Sequence, residues 1–351
     1  MGRLAGLPVA GDGQPKTRSR RQHVSTKKTE MSGAILVAAL AFVCHACARP
    51  ALAPPAVKTA EVASTRALPP TVEELKNATY AGLGERLGPV TLANGRWTGA
   101  PPASGAASRP SVQLADDFRV VGDLDGDGLE EAVVVLTYSS GGTGVLSFLA
   151  VVTREDGTLR NVATTALGDR VQVRSARIDG GRLLVSAVRA GENDAACCPG
   201  DLVDWQWTLG EGRLNALGAV RTGRLSLATL AGTVWILRAW DLTSSAELEP
   251  VVTLSYDAGR FTGTGGCNRY FAVVEGGAMP GELKVGPLAS TRMACPDPQS
   301  SVEARFLEQL RGARTFGFML GRLAISHTRG DGSRGTMLFD ASTPPRSHLT
   351  K

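Results

Sequence analysis

The chain has 351 residues, 43% of them hydrophobic, which exceeds the usual single domain and is ample for buried cores. Two domains with non-globular ends are therefore expected. The formal charge of +5 is not spread along the chain: residues 1–30 hold seven Lys and Arg against Asp12 and Glu30, and the remainder balances, which removes the basis for a nucleic-acid partner.

Residues 1–48 read as a basic leader and signal peptide. The uncharged apolar run from Ser32 to Val43 is too short to span a bilayer and has the size of a signal-peptide core. Cys44-His45-Ala46-Cys47 resembles a lipobox, although Cys and His stand where such a box carries Leu and a small residue. Ala46-Cys47-Ala48 offers the A-x-A pattern of ordinary cleavage instead. Export to the periplasm or outer membrane is expected, with Cys47 the candidate lipid anchor in place of a spanning helix. Met31 is an alternative start. Residues 49–70, rich in Ala and Pro, read as an extended tether.

A first domain is expected over 71–222. Thr71-Val-Glu-Glu74 fits a capping box and predicts a short helix ending near Asn77. Pro89 to Trp97 reads as a strand entering an Asn94-Gly95 hairpin turn, followed by a Pro/Ala/Ser/Gly loop over about 100–110. Strands are expected at Ala132–Tyr138, Val145–Thr153, Val171–Ile178, Leu183–Val188 and Leu202–Leu209, with hairpin turns at Asp156-Gly157 and Asp179-Gly180-Gly181. The domain should be mostly antiparallel β, with no repeat array.

Gly122-Asp123-Leu-Asp125-Gly126-Asp127-Gly128 precedes the strand at Ala132. Alternate carboxylates with Gly128 at the turn gather hard oxygen ligands around one point, the donor set that Ca²⁺ takes. The run begins like an EF-hand loop but has Val134 where the bidentate Glu would fall. It resembles better the D-x-D-G-D-G-x-x-D/E loops of integrin-like β proteins, in which the ninth position, here Glu131, closes the site. Asp123, Asp125, Asp127 and Glu131 are the candidate ligands of a structural Ca²⁺, against a plain acidic turn. Cys197-Cys198-Pro199 reads as a structural pair or buried thiols before a soft-metal or redox element, because two ligands are too few.

The second domain is expected over 226–341, with a flexible tail at 342–351. It is strand-rich, with one helix at Ser300–Arg311 that Ser300 and Glu303 would cap as a box and whose Val302, Phe306, Leu307 and Leu310 share a face. Between strand-like Arg260-Phe-Thr and Tyr270-Phe-Ala-Val-Val lies the glycine-dense Gly263-Thr-Gly-Gly-Cys267-Asn268, a backbone that must bend or pass close to another segment. Thr291-Arg-Met293-Ala-Cys295 follows. Together with Trp235, the Tyr256–Arg260 hairpin and the helix, this order resembles the META domain of HslJ-like bacterial envelope proteins. That resemblance implies a small, strongly curved antiparallel sheet packed on the helix. The fold class expected for the whole is mostly β (α+β).

Cys197, Cys198, Cys267 and Cys295 leave three pairings open in an exported chain, and adjacent cysteines rarely bond to each other. The proximity that the resemblance implies favours Cys267 with Cys295. Trp235, Trp240, Phe261, Tyr270 and Phe271 read as core packing, or else as an apolar groove for an acyl chain or partner segment. His327 sits among strand residues and reads as structural, and no G-x-S-x-G, H-E-x-x-H, P-loop or G-x-G-x-x-G is in place. The resulting expectation is a non-catalytic protein serving envelope stress tolerance or assembly by binding an envelope protein or lipid. The alternatives are a hydrolase built on the Asp123 carboxylates and an inhibitor or sensor of another envelope enzyme.

Overall fold

The computed structural model describes residues 68–84, 87–101, 108–195, 197–241 and 249–342; the leader, Cys47 and the tether up to 67 lie outside the described residues. Helix α1 (Val72–Leu75) begins at the expected box: Thr71 Oγ1 accepts the Glu74 N–H at 3.3 Å and the Glu74 carboxylate accepts the Thr71 N–H at 2.8 Å. Strands β1 (Thr79–Tyr80) and β2 (Val90–Thr91) pair, and Asn94 and Gly95, both at positive φ, turn the chain into β3 (Arg96–Thr98). There follow β4 (Ser111–Gly122), β5 (Glu131–Ser139), β6 (Leu146–Glu155) and β7 (Thr158–Asp169), which with β3 form a five-stranded antiparallel sheet in chain order. Strands β8 (Gln172–Asp179), β9 (Arg182–Arg189), β10 (Asp201–Gly210) and β11 (Arg213–Arg224) form a four-stranded one.

These two sheets pack face to face. Val133 and Val135 of β5, with Leu149 and Val151 of β6, meet Leu183, Val185, Val203, Trp205 and Trp207 from the other sheet. On the opposite face of β5 and β6, Val134, Leu136 and Ala150 are covered by Leu75, Tyr80, Leu83 and Val90. Both faces of β5 are thus buried, which is why its sequence runs Ala-Val-Val-Val-Leu instead of alternating. The α1 cover is pinned by Arg154 of β6, whose Nη2 donates to both Glu74 oxygens at 2.8 and 2.7 Å.

Arg154 holds the Glu74 carboxyl down to about 2. A depressed carboxylate stabilises the fold above its unfolded pKa and loses that contribution as pH falls from about 4.5 towards 2. Glu74 keeps 38% of its side chain exposed, so solvent screening limits the effect to about 1 kcal/mol. Melting temperature should therefore fall more steeply between pH 5 and 2 in the native protein than in Arg154→Ala; parallel curves would show that the pair contributes nothing.

The third sheet holds eight antiparallel strands: β12 (Val234–Trp240), β13 (Thr253–Asp257), β14 (Arg260–Thr264), β15 (Arg269–Gly276), β16 (Leu283–Ser290), β17 (Ala313–Met319), β18 (Arg322–Thr328) and β19 (Arg334–Ala341). Their order is β16-β15-β14-β13-β12-β19-β18-β17. The sheet curls into a half-barrel whose edges touch at one point, where Phe316 N–H donates to the Gly281 carbonyl at 2.7 Å. Helix α2 (Gln299–Arg311) fills the concavity with Phe306, Leu307 and Leu310. The sequence expectation of a curved antiparallel sheet on one helix is met.

The start of α2 differs from expectation. Pro298 is the N-cap residue, Asp297 Oδ1 accepts the Ser301 N–H at 3.2 Å and the Ser300 hydroxyl turns to Asp297. Glu303 closes no box because its carboxylate is taken by Asn268. The eight-stranded sheet also docks on the four-stranded one: Gln172 Oε1 accepts Phe318 N–H at 2.9 Å, Gly321 N–H donates to Val173 O at 2.9 Å, and the Arg174 guanidinium lies 4.9 Å from the Phe318 ring centre.

Candidate functional site

The Asp123 loop joins β4 to β5. Asp123 accepts the N–H of Gly126 at 2.7 Å and of Gly128 at 3.1 Å, and both glycines lie at positive φ, the turn geometry the sequence requires there. Leu124 is buried as the loop's anchor. Glu131 is fully buried, accepting Leu124 N–H at 2.8 Å and the Thr153 hydroxyl at 3.3 Å. Burial pushes its pKa up, and the charges of Asp125 and Asp127 add to the rise. Oxygens of Asp123, Asp125 and Glu131 lie within 4.8 Å of one another. The fourth expected ligand, Asp127, stands outside this group and accepts Leu129 N–H at 2.7 Å. Three hard oxygen donors gathered at one point are the donor set that a divalent cation takes.

The Cys197-Cys198 loop joins β9 to β10. Its two sulfurs are within bonding distance of each other, contrary to the rarity of adjacent pairs. Asp194 draws the loop closed by accepting Gly191 N–H at 2.7 Å and Gly200 N–H at 2.8 Å, while Arg224 bonds Asp194 and holds its carboxyl down to about 2.

The glycine-rich run and the Thr291–Cys295 run meet at Asn268, which is 6% exposed. Its N–H and Nδ2 donate to the Glu303 carboxylate, Nδ2 also to Met293 O at 3.2 Å, and its Oδ1 accepts the Thr291 hydroxyl and Met293 N–H, each at 2.7 Å. A Cβ on Gly263 would collide with the Thr253 carbonyl, and one on Gly265 would come within 2.9 Å of Glu303 Cγ. These glycines therefore let the strands and α2 approach. Cys267 and Cys295, flanking the network, have their sulfurs at disulfide distance.

Trp235, Phe261 and Tyr270 are core side chains, and Phe306 lies edge-on to Tyr270 at 5.2 Å, filling the space under the helix. Phe271 is half exposed, and Arg305 covers Trp240 at 4.5 Å. His327 is 2% exposed, as expected of a structural residue, but neither ring nitrogen has a partner. Burial, then Arg329, lowers its pKa. Beside it opens a cavity of about 770 Å³, lined by Asp241, Arg314, Arg329 and Arg334 among others. No sequence signal pointed to this cavity, because its residues come from separate strands and acquire meaning only when the sheet curls.

Sandwich, curled sheet and helix define a mostly β protein whose signature residues join sheet to helix. Residues 228–339 match the family model described as "META domain", so the chain carries a META domain in this region. No curated protein gives a significant match. A solved NMR structure of a protein from Burkholderia xenovorans is 27% identical, with 36% of this chain and 94% of that one covered, at a TM-score of 0.26.

Proposed function

We propose that the protein is an exported, lipid-anchored component of the bacterial envelope, of the HslJ-like type, that acts by binding and without catalysis in stress tolerance or assembly. One observation carries this reading: the META signature residues Asn268, Glu303 and Met293 are consumed in joining sheet and helix, and so build a support instead of facing a substrate. Attachment through Cys47 accords with the basic leader. Among the described residues no helix is long and apolar enough to cross a membrane. Fractionation should find the processed protein in the envelope, palmitate labelling should disappear in Cys47→Ala, and deletion should sensitise cells to envelope stress until the native gene is restored. A cytosolic protein with unaltered stress tolerance on deletion would sink the proposal.

In this reading Asp123, Asp125 and Glu131 hold a structural Ca²⁺. Millimolar Ca²⁺ is the relevant range, since extracellular-type sites bind at about 10⁻⁴ to 10⁻³ M. At a hundred times the dissociation constant the ion would stabilise the fold by about 2.7 kcal/mol, seen as a raised melting temperature over an EDTA control. Asp125→Ala should abolish the rise at little structural cost, because Asp125 makes a single loop bond, to Asp127 N–H at 3.2 Å. A melting temperature indifferent to Ca²⁺ would leave the loop a plain acidic turn.

A further inference from the structure

The cavity at the ends of β17, β18 and β19 carries an excess of positive charge. Three guanidinium groups, Arg314, Arg329 and Arg334, face one carboxylate, Asp241. That carboxylate is already committed: both oxygens accept from Arg329 at 2.9 Å, and Oδ1 also accepts Thr336 N–H at 3.3 Å. Among the described residues no carboxylate pairs with Arg314 or Arg334, and Arg314 donates only to the Ala313 carbonyl, at 2.9 Å. His327 belongs to the same lining, buried, with Nδ1 and Nε2 both unpartnered. Gly335 is its cross-strand neighbour, and a Cβ there would come within 2.7 Å of the imidazole and 2.6 Å of the Arg329 guanidinium. Glycine at this position lets both groups lie against the β19 backbone.

Buried imidazoles almost always find a hydrogen-bond partner, and guanidinium groups are the side chains best matched to planar or tetrahedral oxyanions. An unpartnered imidazole among guanidinium groups without matching carboxylates is the complement of an anion with several oxygens. Two free guanidinium groups and an imidazole suit a phosphate better than a carboxylate, which offers fewer oxygens. The volume, about 770 Å³, far exceeds a bare anion and leaves room for a polar substituent beside the hydroxyls of Thr315, Ser326 and Thr336.

We propose that this cavity binds a phosphate ester, with Arg314 and Arg334 pairing its oxygens, His327 donating from the buried wall and the hydroxyls meeting a glycerol- or sugar-sized substituent. The same chemistry has two sources, a phospholipid headgroup and a soluble phosphate ester. Bulk attraction to anionic surfaces does not account for such binding, since the chain beyond residue 30 carries no net charge.

The purified protein tests this by calorimetric titration with glycerol 3-phosphate, with glycerate as the carboxylate control, and by flotation with phosphatidylglycerol or phosphatidylcholine vesicles, all at about 0.15 M salt. Glycerol 3-phosphate should bind at least tenfold more tightly than glycerate. The double variant R314A/R334A should weaken it at least tenfold while melting at the native temperature; if the double variant melts early, the single variants are read instead. Flotation specific to phosphatidylglycerol and lost in the variant assigns the lipid headgroup, whereas titration without flotation assigns the soluble ester. Absence of both signals, equal binding of glycerate, or binding that ignores the arginine substitutions overturns the proposal. The assay needs neither export nor lipid attachment, so its failure is distinct from failure of the envelope reading.

Discussion

Asn268→Ala is expected to destabilise the protein by about 3 kcal/mol, at the upper end of single substitutions, because it strips a buried hub and leaves its partners unpaired. Four groups lose their bond at once: the Thr291 hydroxyl, the Met293 N–H, the Met293 carbonyl and one Glu303 oxygen. The backbone N–H of residue 268 still donates to Glu303, so the carboxylate remains partly satisfied and the loss stops short of a bare buried charge. Urea denaturation followed by tryptophan fluorescence would measure it, with Trp235 reporting from the same core. A companion, Glu303→Gln, keeps the side-chain length and removes the charge, and should cost less than the alanine substitution. A loss under 1 kcal/mol in Asn268→Ala would mean that water replaces the amide and that the signature residues do not hold the domain together.

What the sequence disclosed follows from what each signal depends on. Turns such as Asn94-Gly95 and Asp156-Gly157 were legible because positive φ at two successive positions demands those residues locally, and the structure has both pairs there. Strands β5, β6, β8, β9 and β10 were legible because their apolar content is high. Strands β4, β7 and β11 were not: β7 reads Thr-Leu-Arg-Asn-Val-Ala-Thr-Thr and β11 is exposed along most of its length, so neither carries the alternation that announces a half-buried strand. They are strands because a neighbour supplies the hydrogen-bond ladder. Glu303 was misassigned for a related reason. A capping box is a local pattern, whereas Asn268 lies 35 residues away and offers the carboxylate stronger partners. Of the acidic loop, the gathering of Asp123, Asp125 and Glu131 oxygens accords with the spacing; that Asp127 accepts the Leu129 N–H and stands outside the group is not legible, since a local side-chain bond leaves no trace in sequence. Arg314, Arg334 and Asp241 carry no motif, and only the curl of the sheet gives them a common cavity.

Replacing both Cys267 and Cys295 by Ser is expected to cost about 3.5 kcal/mol under oxidising conditions. The pair is 28 residues apart in sequence, and closing a loop of that length withdraws that much chain entropy from the unfolded state. The loop contains β15 and β16, whose ladder must otherwise form without a tether. Cys197 and Cys198 supply the internal control, because adjacent residues enclose no chain and their bond constrains the unfolded ensemble hardly at all. Dithiothreitol should therefore lower the urea midpoint of the native protein by nearly the full amount and leave the C267S/C295S variant almost unmoved, whereas C197S/C198S should retain the whole response. If Cys267 and Cys295 both alkylate in the native, unreduced protein, the bond does not form and the expected loss vanishes with it. If the reductant instead acts through Cys197 and Cys198, chain entropy is the wrong account, and the Asp194 clamp on that loop would have to carry the stability.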